Sequence, residues 1–206
     1  MPNFEIEDEY VGLIAGVDEA GRGPWVGPVV AGCVVFLDRK VDEFLLNNLN
    51  DSKKISKKKR EQLYEVLYKE KENGKILIGV GITSAKEIDE INILNASFLA
   101  MKRAIDDANA NPCMVLVDGN REPKNFGYKT KAVIKGDAKS YSISAASIIA
   151  KVYRDKMMED MAKKYPGYGF EKNAGYGTKA HIEGLKLYGI TPEHRLSYAP
   201  VKEFVK

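Results

Sequence analysis

The sequence predicts an α/β layer protein built on a mixed sheet, and three observations carry that reading. Short runs rich in Val and Ile, the composition of buried strands, recur at residues 12–17, 29–37, 76–83, 114–117 and 131–134. The first two are joined only by a turn, residues 20–28, which suits an antiparallel pair. The later runs are separated by helical segments, which suits parallel pairing, and helix-rich sequence dominates toward the C-terminus.

The elements follow in order. Residues 1–10 form a short polar arm whose acids, Glu5, Glu7, Asp8 and Glu9, read as ordinary surface. The first strand stops at Asp18-Glu19 and runs into the glycine-rich turn Ala20-Gly21-Arg22-Gly23-Pro24. After the second strand, Asp51, Ser52 and Ser56 are good helix N-cap types. Leu63, Val66 and Leu67 give residues 57–73 helical spacing, and Gly74 ends the run. Ile88, Ile91, Leu94, Phe98 and Met101 mark a helix over 85–108, closed off by Pro112. The strand at 114–117 stops at Asp118-Gly119, and the weaker one at 131–134 stops at Gly136-Asp137. Tyr141, Ala145, Ile148, Ile149, Val152 and Met161 make 140–164 a long amphipathic helix. Residues 165–177 are aromatic, glycine-rich and irregular, and 178–188 is a last helix with Gly189 as its stop. No repeat, low-complexity tract or linker divides the chain. Residues 1–206 therefore read as one domain with a small C-terminal helical segment from residue 165.

Composition excludes several classes. The 206 residues are 44% hydrophobic and 30% charged, which rules out collagen, wholesale disorder and a disulfide scaffold. Thirty-two basic and 29 acidic side chains leave a net charge of only +3. That balance is uneven: residues 1–50 carry 3 bases and 9 acids, the remainder 29 bases and 20 acids. Either surface Glu is in chance excess, or a small anionic site sits in a cationic surface. Cys33 and Cys113 lie in apolar runs without His or Cys neighbours and read as buried thiols in a reducing compartment. The acidic arm contains no signal-peptide h-region. The apolar run at 29–37 is far short of the roughly 18–20 residues of a membrane span, so a cytoplasmic location is expected.

Three predicted strands end in carboxylates: Asp18-Glu19, Asp118 and Asp137. In α/β sheets ligands bind at the carboxyl ends of strands, so neighbouring strands of suitable polarity would gather these acids on one rim. Clustered carboxylates repel, and a divalent cation removes the repulsion. Hard oxygen donors suit Mg²⁺ or Mn²⁺ rather than zinc. Each Asp alone can equally end a strand or cap a helix. Asp18 and Glu19 would face opposite sides of a regular strand, so both serve one site only if the pleat ends there, as Gly21 and Gly23 suggest.

Other features keep two readings each. Gly21-Arg22-Gly23 is a tight hairpin turn or a place where backbone approaches a ligand, and it is not a P-loop. Lys53, Lys54 and the run Lys57-Lys58-Lys59-Arg60 are a solvated face or, set against the dipole at a helix start, a contact for an anion. Tyr165, Tyr168, Phe170 and Tyr176 are interleaved with Lys163, Lys164, Lys172 and Lys179. Such residues stack on bases and neutralise phosphate, or anchor the terminal helices. His181, on a helix surface, and His194, in a loop, lack ligand spacing and read as structural, and Trp25 reads as a packing residue.

Taken together these residues are specific. The stretch Gly16-Val17-Asp18-Glu19-Ala20-Gly21-Arg22-Gly23-Pro24 resembles the opening motif of type 2 ribonuclease H, ribonuclease HII. The blocks Asn50-Asp51-Ser52-Lys53, Val117-Asp118-Gly119 and Lys135-Gly136-Asp137 resemble the same family in the same order. So do the stretch from Ser144 to Lys151, Arg154-Asp155, Gly175-Tyr176-Gly177-Thr178 and His194-Arg195-Leu196-Ser197-Tyr198. The resemblance implies a ribonuclease H-like fold, a five-stranded mixed sheet flanked by helices. It implies cleavage of RNA in RNA–DNA hybrids, and cutting 5′ of ribonucleotides embedded in duplex DNA. It assigns Asp18, Glu19, Asp118 and Asp137 to catalysis with bound Mg²⁺ or Mn²⁺. Gly21, Arg22, Gly23 and Tyr176 would meet the ribose, whose 2′-hydroxyl separates RNA from DNA. Lys53, Ser144, Ser147 and Lys151 complete the substrate-binding set, the last three holding phosphates. Asp155 matches a family acid and reads as a supporting residue.

There are departures. Ala174 stands where many relatives carry lysine, so that phosphate contact is lost or moves to Lys172 or Lys179. With only a short stretch before the first strand, the extra N-terminal domain of ribonuclease HIII is not expected. A monomer is expected, with a sliding clamp as a partner left open. A noncatalytic nucleic-acid-binding module and a Mg²⁺-dependent phosphatase or ATPase are the rival readings. The first would need no four-acid set, and the second lacks a nucleotide-cradling loop.

Overall fold

The computed structural model describes residues 1–205. Five strands, β1 (Ile14–Ala20), β2 (Val29–Phe36), β3 (Ile76–Thr83), β4 (Met114–Asp118) and β5 (Thr130–Val133), form one sheet in the order β3-β2-β1-β4-β5. Strand β2 runs antiparallel to β1 and β3, while β4 runs parallel to β1 and β5. The mixed sheet expected from the turn and crossover lengths is therefore present, and β1 and β4, the central parallel pair, end on the same rim.

The helices are α1 (Glu43–Asn48), α2 (Lys57–Glu72), α3 (Ala85–Asp107), α4 (Tyr141–Lys164), α5 (Phe170–Asn173), α6 (Lys179–Tyr188) and α7 (Ala199–Lys202). Helix α3 covers one face, where Ala15, Val17, Cys33 and Val35 pack on Ile88, Ala100, Met101 and Ala104. Helices α2 and α4 cover the other, where Val34, Ile76 and Ile78 pack on Leu63, Leu67, Ala145 and Ile149. Ser56, Ser84 and Thr178 cap α2, α3 and α6, and Ser84 with Glu87 forms a capping box.

Helix α4 lies unusually close to the sheet. A Cβ on Gly16 would fall 2.2 Å from the backbone of Ser142, and one on Gly32 2.4 Å from the Ala146 carbonyl oxygen. Gly16, Gly32 and Asp18 share this face, so the same contact fixes how deep Asp18 sits beside α4.

The structure corrects several expectations. Strand β1 runs on through Asp18 and Glu19 to Ala20 instead of stopping before them, because both keep partners on β2. Cys113 is exposed, and only Cys33 is buried. Glu7 is not surface: its Oε1 accepts from the hydroxyls of Ser140 and Ser142, each at 2.7 Å, and from the Ser142 N–H at 3.0 Å. It thereby satisfies donors at the start of α4, where a carboxylate also suits the helix dipole. Helices α1, α5 and α7 span four to six residues, too few to show periodicity in sequence. Helix α3 is broken at Asn92, whose φ is 65° and whose side chain accepts from the N–H groups of Leu94 and Asn95.

Gly32→Ala should lower stability by about 1–3 kcal/mol, the usual cost of overpacking. The fall is read from the urea midpoint; an unchanged midpoint would mean that α4 is free to move off the sheet.

Candidate active site

Strands β1 and β4 pair in parallel up to Val17 and Val117, so the next residues, Asp18 and Asp118, sit side by side at the rim. Asp118 Oδ1 accepts from the Gly136 N–H at 2.7 Å and the Asp137 N–H at 3.4 Å. These bonds fold the turn before α4 over the end of β4 and bring Asp137 to the same place. Lys135 supports the turn by adopting a left-handed conformation, φ 56°. Asp18 Oδ1 accepts from the Glu19 N–H at 2.7 Å. Glu19 is one residue on and faces the α3 side, where Arg22 reaches its Oε1 at 3.3 Å.

Electrostatics link the four acids through Asp118, whose charge adds to the upward shift of each of the other three. Burial, followed by the charges of Glu19 and Asp118, raises the Asp18 carboxyl well above its ordinary range. Burial also raises Glu19, with Asp118 adding to the shift while Arg22 and Lys53 oppose it. Asp137 is pushed up to about 6 by burial, Asp118 and Asp51, with Lys53 opposing. The pleat does not end before Glu19, so its side chain faces the opposite side of β1 from Asp18, and what links it to the other acids is charge. Among the described residues, no three acidic, imidazole or thiol side chains are drawn close enough to hold an ion as they stand. The donor chemistry nonetheless fits a divalent cation: the set is hard carboxylate oxygen, and positive charge relieves the repulsion that raises these groups.

The neighbouring turn is held from behind by two buried arginines. Arg195 donates to the carbonyls of Gly21 (2.6 Å), Arg22 (2.9 Å) and Gly27 (2.8 Å), and to the Tyr198 hydroxyl (2.9 Å). Arg154 donates to the carbonyls of Pro28 (3.1 Å), Ala174 (3.1 Å) and Val26 (3.3 Å). Burial and the neighbouring Arg195 lower Arg154 to about 10. Gly21 has φ +98°, and a Cβ there would strike the Arg154 guanidinium at 2.0 Å. Gly23 faces the ring of Tyr176, 3.2 Å from the position of an added Cβ. The turn at Gly23 and the half-exposed Tyr176 therefore meet.

The remaining candidates divide. Lys53 lies within electrostatic range of Glu19 and Asp137. Ser144 and Ser147 are buried, and their hydroxyls donate to the carbonyls of Asn50 (3.2 Å) and Ser144 (2.8 Å). Lys151 bonds Asp155 at 2.6 Å, and Asp155 also lies 3.9 Å from Arg60. Arg60 donates inward to the carbonyls of Ser52 and Ile55, so it holds the loop before α2 instead of facing solvent. Lys57 pairs with Glu159 at 2.6 Å, and Lys59 lies over Phe44. Tyr168 and Phe170 are buried anchors. Lys172 is exposed, and Lys179 extends 3.9 Å from Glu183. Ala174, in the left-handed region, gives its carbonyl to Arg154. His181 is buried rather than on the helix surface, and bonds His194. Sequence reasoning assigned no role to Arg154 or Arg195 and read Asp51 only as a helix N-cap type. The only signal for the two arginines was position inside the motif blocks.

The raised carboxyls have a consequence for stability. An unfolded Asp loses its proton near pH 4, whereas Asp137 in the folded chain holds it to about pH 6. Between these values the folded chain binds more protons than the unfolded chain, so stability falls as pH rises through the window. Asp137→Asn should flatten that fall in urea unfolding with chelator present. Superimposable pH profiles for variant and parent would contradict the shift.

Known proteins resemble this chain over nearly its whole length. The family model described as Ribonuclease HII matches residues 15–201. The curated "Ribonuclease HII" of Paramagnetospirillum magneticum is 46% identical over 205 residues, covering 100% of this chain and 99% of that protein. Among solved structures, the ribonuclease H2 of Pyrococcus horikoshii superposes with a TM-score of 0.74 at 32% identity, covering 94% of this chain and 97% of that one. The RNase HII of Archaeoglobus fulgidus, solved in complex with PCNA, gives 0.72 at 27% identity, covering 91% and 95%. The sheet is thus a ribonuclease H-like fold, the enzyme is a ribonuclease H, and the chain belongs to the ribonuclease HII family.

Proposed function

We propose that the chain hydrolyses the RNA strand of RNA–DNA hybrids and cuts 5′ of single ribonucleotides embedded in duplex DNA. The products are a 3′-hydroxyl and a 5′-phosphate, and the role is removal of misincorporated ribonucleotides in replication and repair. The observation that carries this reading is the convergence of Asp18, Glu19, Asp118 and Asp137 at the rim beside a backbone turn and an exposed tyrosine. Two Mg²⁺ or Mn²⁺ ions held by these four acids would supply an activated water and a charge clamp on the leaving 3′-oxygen.

The chain's own residues do the rest. The Asp18 and Asp118 carboxylates are oriented by the Glu19 and Gly136 N–H groups, so few rotamers need freezing when substrate arrives. Arg154 and Arg195 hold the carbonyls of residues 21–22 and 26–28 inward, which fixes the turn that meets the ribose. Tyr176, packed beside Gly23, stacks on the next sugar and tests for a missing hydroxyl. Lys53 and Arg22, whose charges both act on Glu19, are cations available to the scissile phosphate. Ser144 spends its proton on the Asn50 carbonyl, which ties the start of α4 to the Asn50 loop, and Ser147 spends its own on the Ser144 carbonyl within α4. Lys151, on the same helix, is a further phosphate contact, its ammonium held in place by its pair with Asp155. Residues 1–206 act as one unit and as a monomer. A sliding clamp as protein partner belongs to the same proposal, supported by the clamp in the Archaeoglobus fulgidus complex.

Asp18→Asn should reduce cleavage of duplex DNA carrying one ribonucleotide by more than about 100-fold, the scale reached even by outer residues of metal sites. Its thermal midpoint should not fall, because a repelled charge is removed. Full activity would overturn the site. Chelator should abolish cleavage by the parent chain, and Mg²⁺ or Mn²⁺ should restore it. Cleavage that persists in chelator, or none beside the lone ribonucleotide with any cation, would overturn the reaction.

A further inference from the structure

The two histidines of the chain are absorbed by nothing in the reaction above, yet they are buried against each other. His194 Nδ1 accepts from the Thr191 N–H at 2.9 Å and faces the Thr191 hydroxyl at the same distance, which can donate to it as well, so it carries no proton. The one proton of a neutral His194 then sits on Nε2, which lies 3.0 Å from His181 Nε2. His181 Nε2 must accept, so the His181 proton sits on Nδ1 and is donated to the Tyr176 carbonyl at 3.0 Å. One proton arrangement alone satisfies all three bonds, and it requires both rings to be neutral. A second proton on either ring would set donor against donor. Burial favours the neutral forms, lowering His181 and, with the charge of His181 as a further cause, taking His194 to about 4.

The rings are also fixed by packing. Phe170 stands edge-on to His181 with centroids 5.1 Å apart, and Trp25 lies at 5.5 Å. The backbone beside His194 bridges to Val26, within the loop that continues from the ribose-facing turn.

We propose that His181 and His194 are positioning residues for ribose recognition: their directed hydrogen-bond chain, from Thr191 to the Tyr176 carbonyl, sets the Tyr176 ring against Gly23. The proposal rests on the reading of Tyr176 given above. The Tyr176 carbonyl also accepts from the Thr178 N–H at 2.8 Å, so losing the His181 bond loosens the residue without orphaning that oxygen.

Two measurements test it. Long-range ¹H–¹⁵N correlation spectra of the full chain contain only two imidazoles. They should show His181 as the Nδ1–H tautomer and His194 as the Nε2–H tautomer. Matching tautomers, or a charged ring at neutral pH, would overturn the chain of bonds. In kinetics with duplex DNA carrying one ribonucleotide, His181→Phe keeps the ring packing but loses both bonds. It should raise KM about fivefold to tenfold, the effect of one hydrogen bond, with a smaller change in kcat. His181→Asn keeps a donor near the Nδ1 position and should recover most of the loss. An unchanged KM in His181→Phe, or no recovery in His181→Asn, would overturn the positioning role. If the parent chain fails to cut at all while the tautomers are as assigned, the functional reading fails and the positioning role falls with it. The spectra decide the bond chain even if a variant does not fold.

Discussion

Carboxylates that share a poorly solvated rim repel one another, and this repulsion is the constraint around which the molecule is arranged. Asp18 and Asp118 are placed side by side by the parallel register of β1 and β4, and Asp137 is drawn in by its neighbour's N–H bond to Asp118. Each placement raises the cost of ionising the others. The structure offsets part of that cost with the Glu19 N–H, Arg22 and Lys53, and tolerates the rest because the sheet is buried on both faces. A site that is unfavourable on its own and suited to cations is what metal-assisted phosphodiester hydrolysis requires.

The same geometry explains why helix α4 must lie so close. Gly16 and Gly32 let its backbone approach β1 and β2 on the face that carries Asp18, and its N-terminal turn follows directly from Asp137. Glu7, from the N-terminal arm, then satisfies the start of that helix from inside the protein. Behind the adjoining turn the charge changes sign. Arg154 and Arg195 are buried as completely as any aliphatic residue, yet their donors go to backbone carbonyls rather than carboxylates. Buried cations held in this way organise backbone, and here they organise the turn beside the acids.

Much of this was legible in sequence because strands announce their ends. An Asp after a strand-like run can equally end the strand or cap a helix, so it was the recurrence of the pattern at Asp18, Asp118 and Asp137 that pointed to one rim. Ser56, one of the cap types read in sequence, caps α2, and α3 starts at the expected residue 85. What was not legible depends on tertiary context. Local pattern cannot show that β1 continues through Glu19, because the ladder to β2 decides it. Arg154, Arg195 and Arg60 are residue types that favour the surface, and only the fold supplies the carbonyls that bury them. Glu7 and the His181–His194 pair join positions far apart in the chain, so no spacing rule reveals them. The basic run before and within α2 looked like one cationic face, but Lys57 and Arg60 are spent on intramolecular partners.

The central claim is that the four acids form one repelling group suited to divalent cations. Calorimetric titration of the protein with Mn²⁺ near pH 6, repeated in buffers of different ionisation enthalpy, tests it most directly, because Asp137 is half-protonated at about that pH. The account predicts binding accompanied by net proton release, with both signals lost in Asp18→Asn. Binding without proton release, or no binding at all, would contradict it.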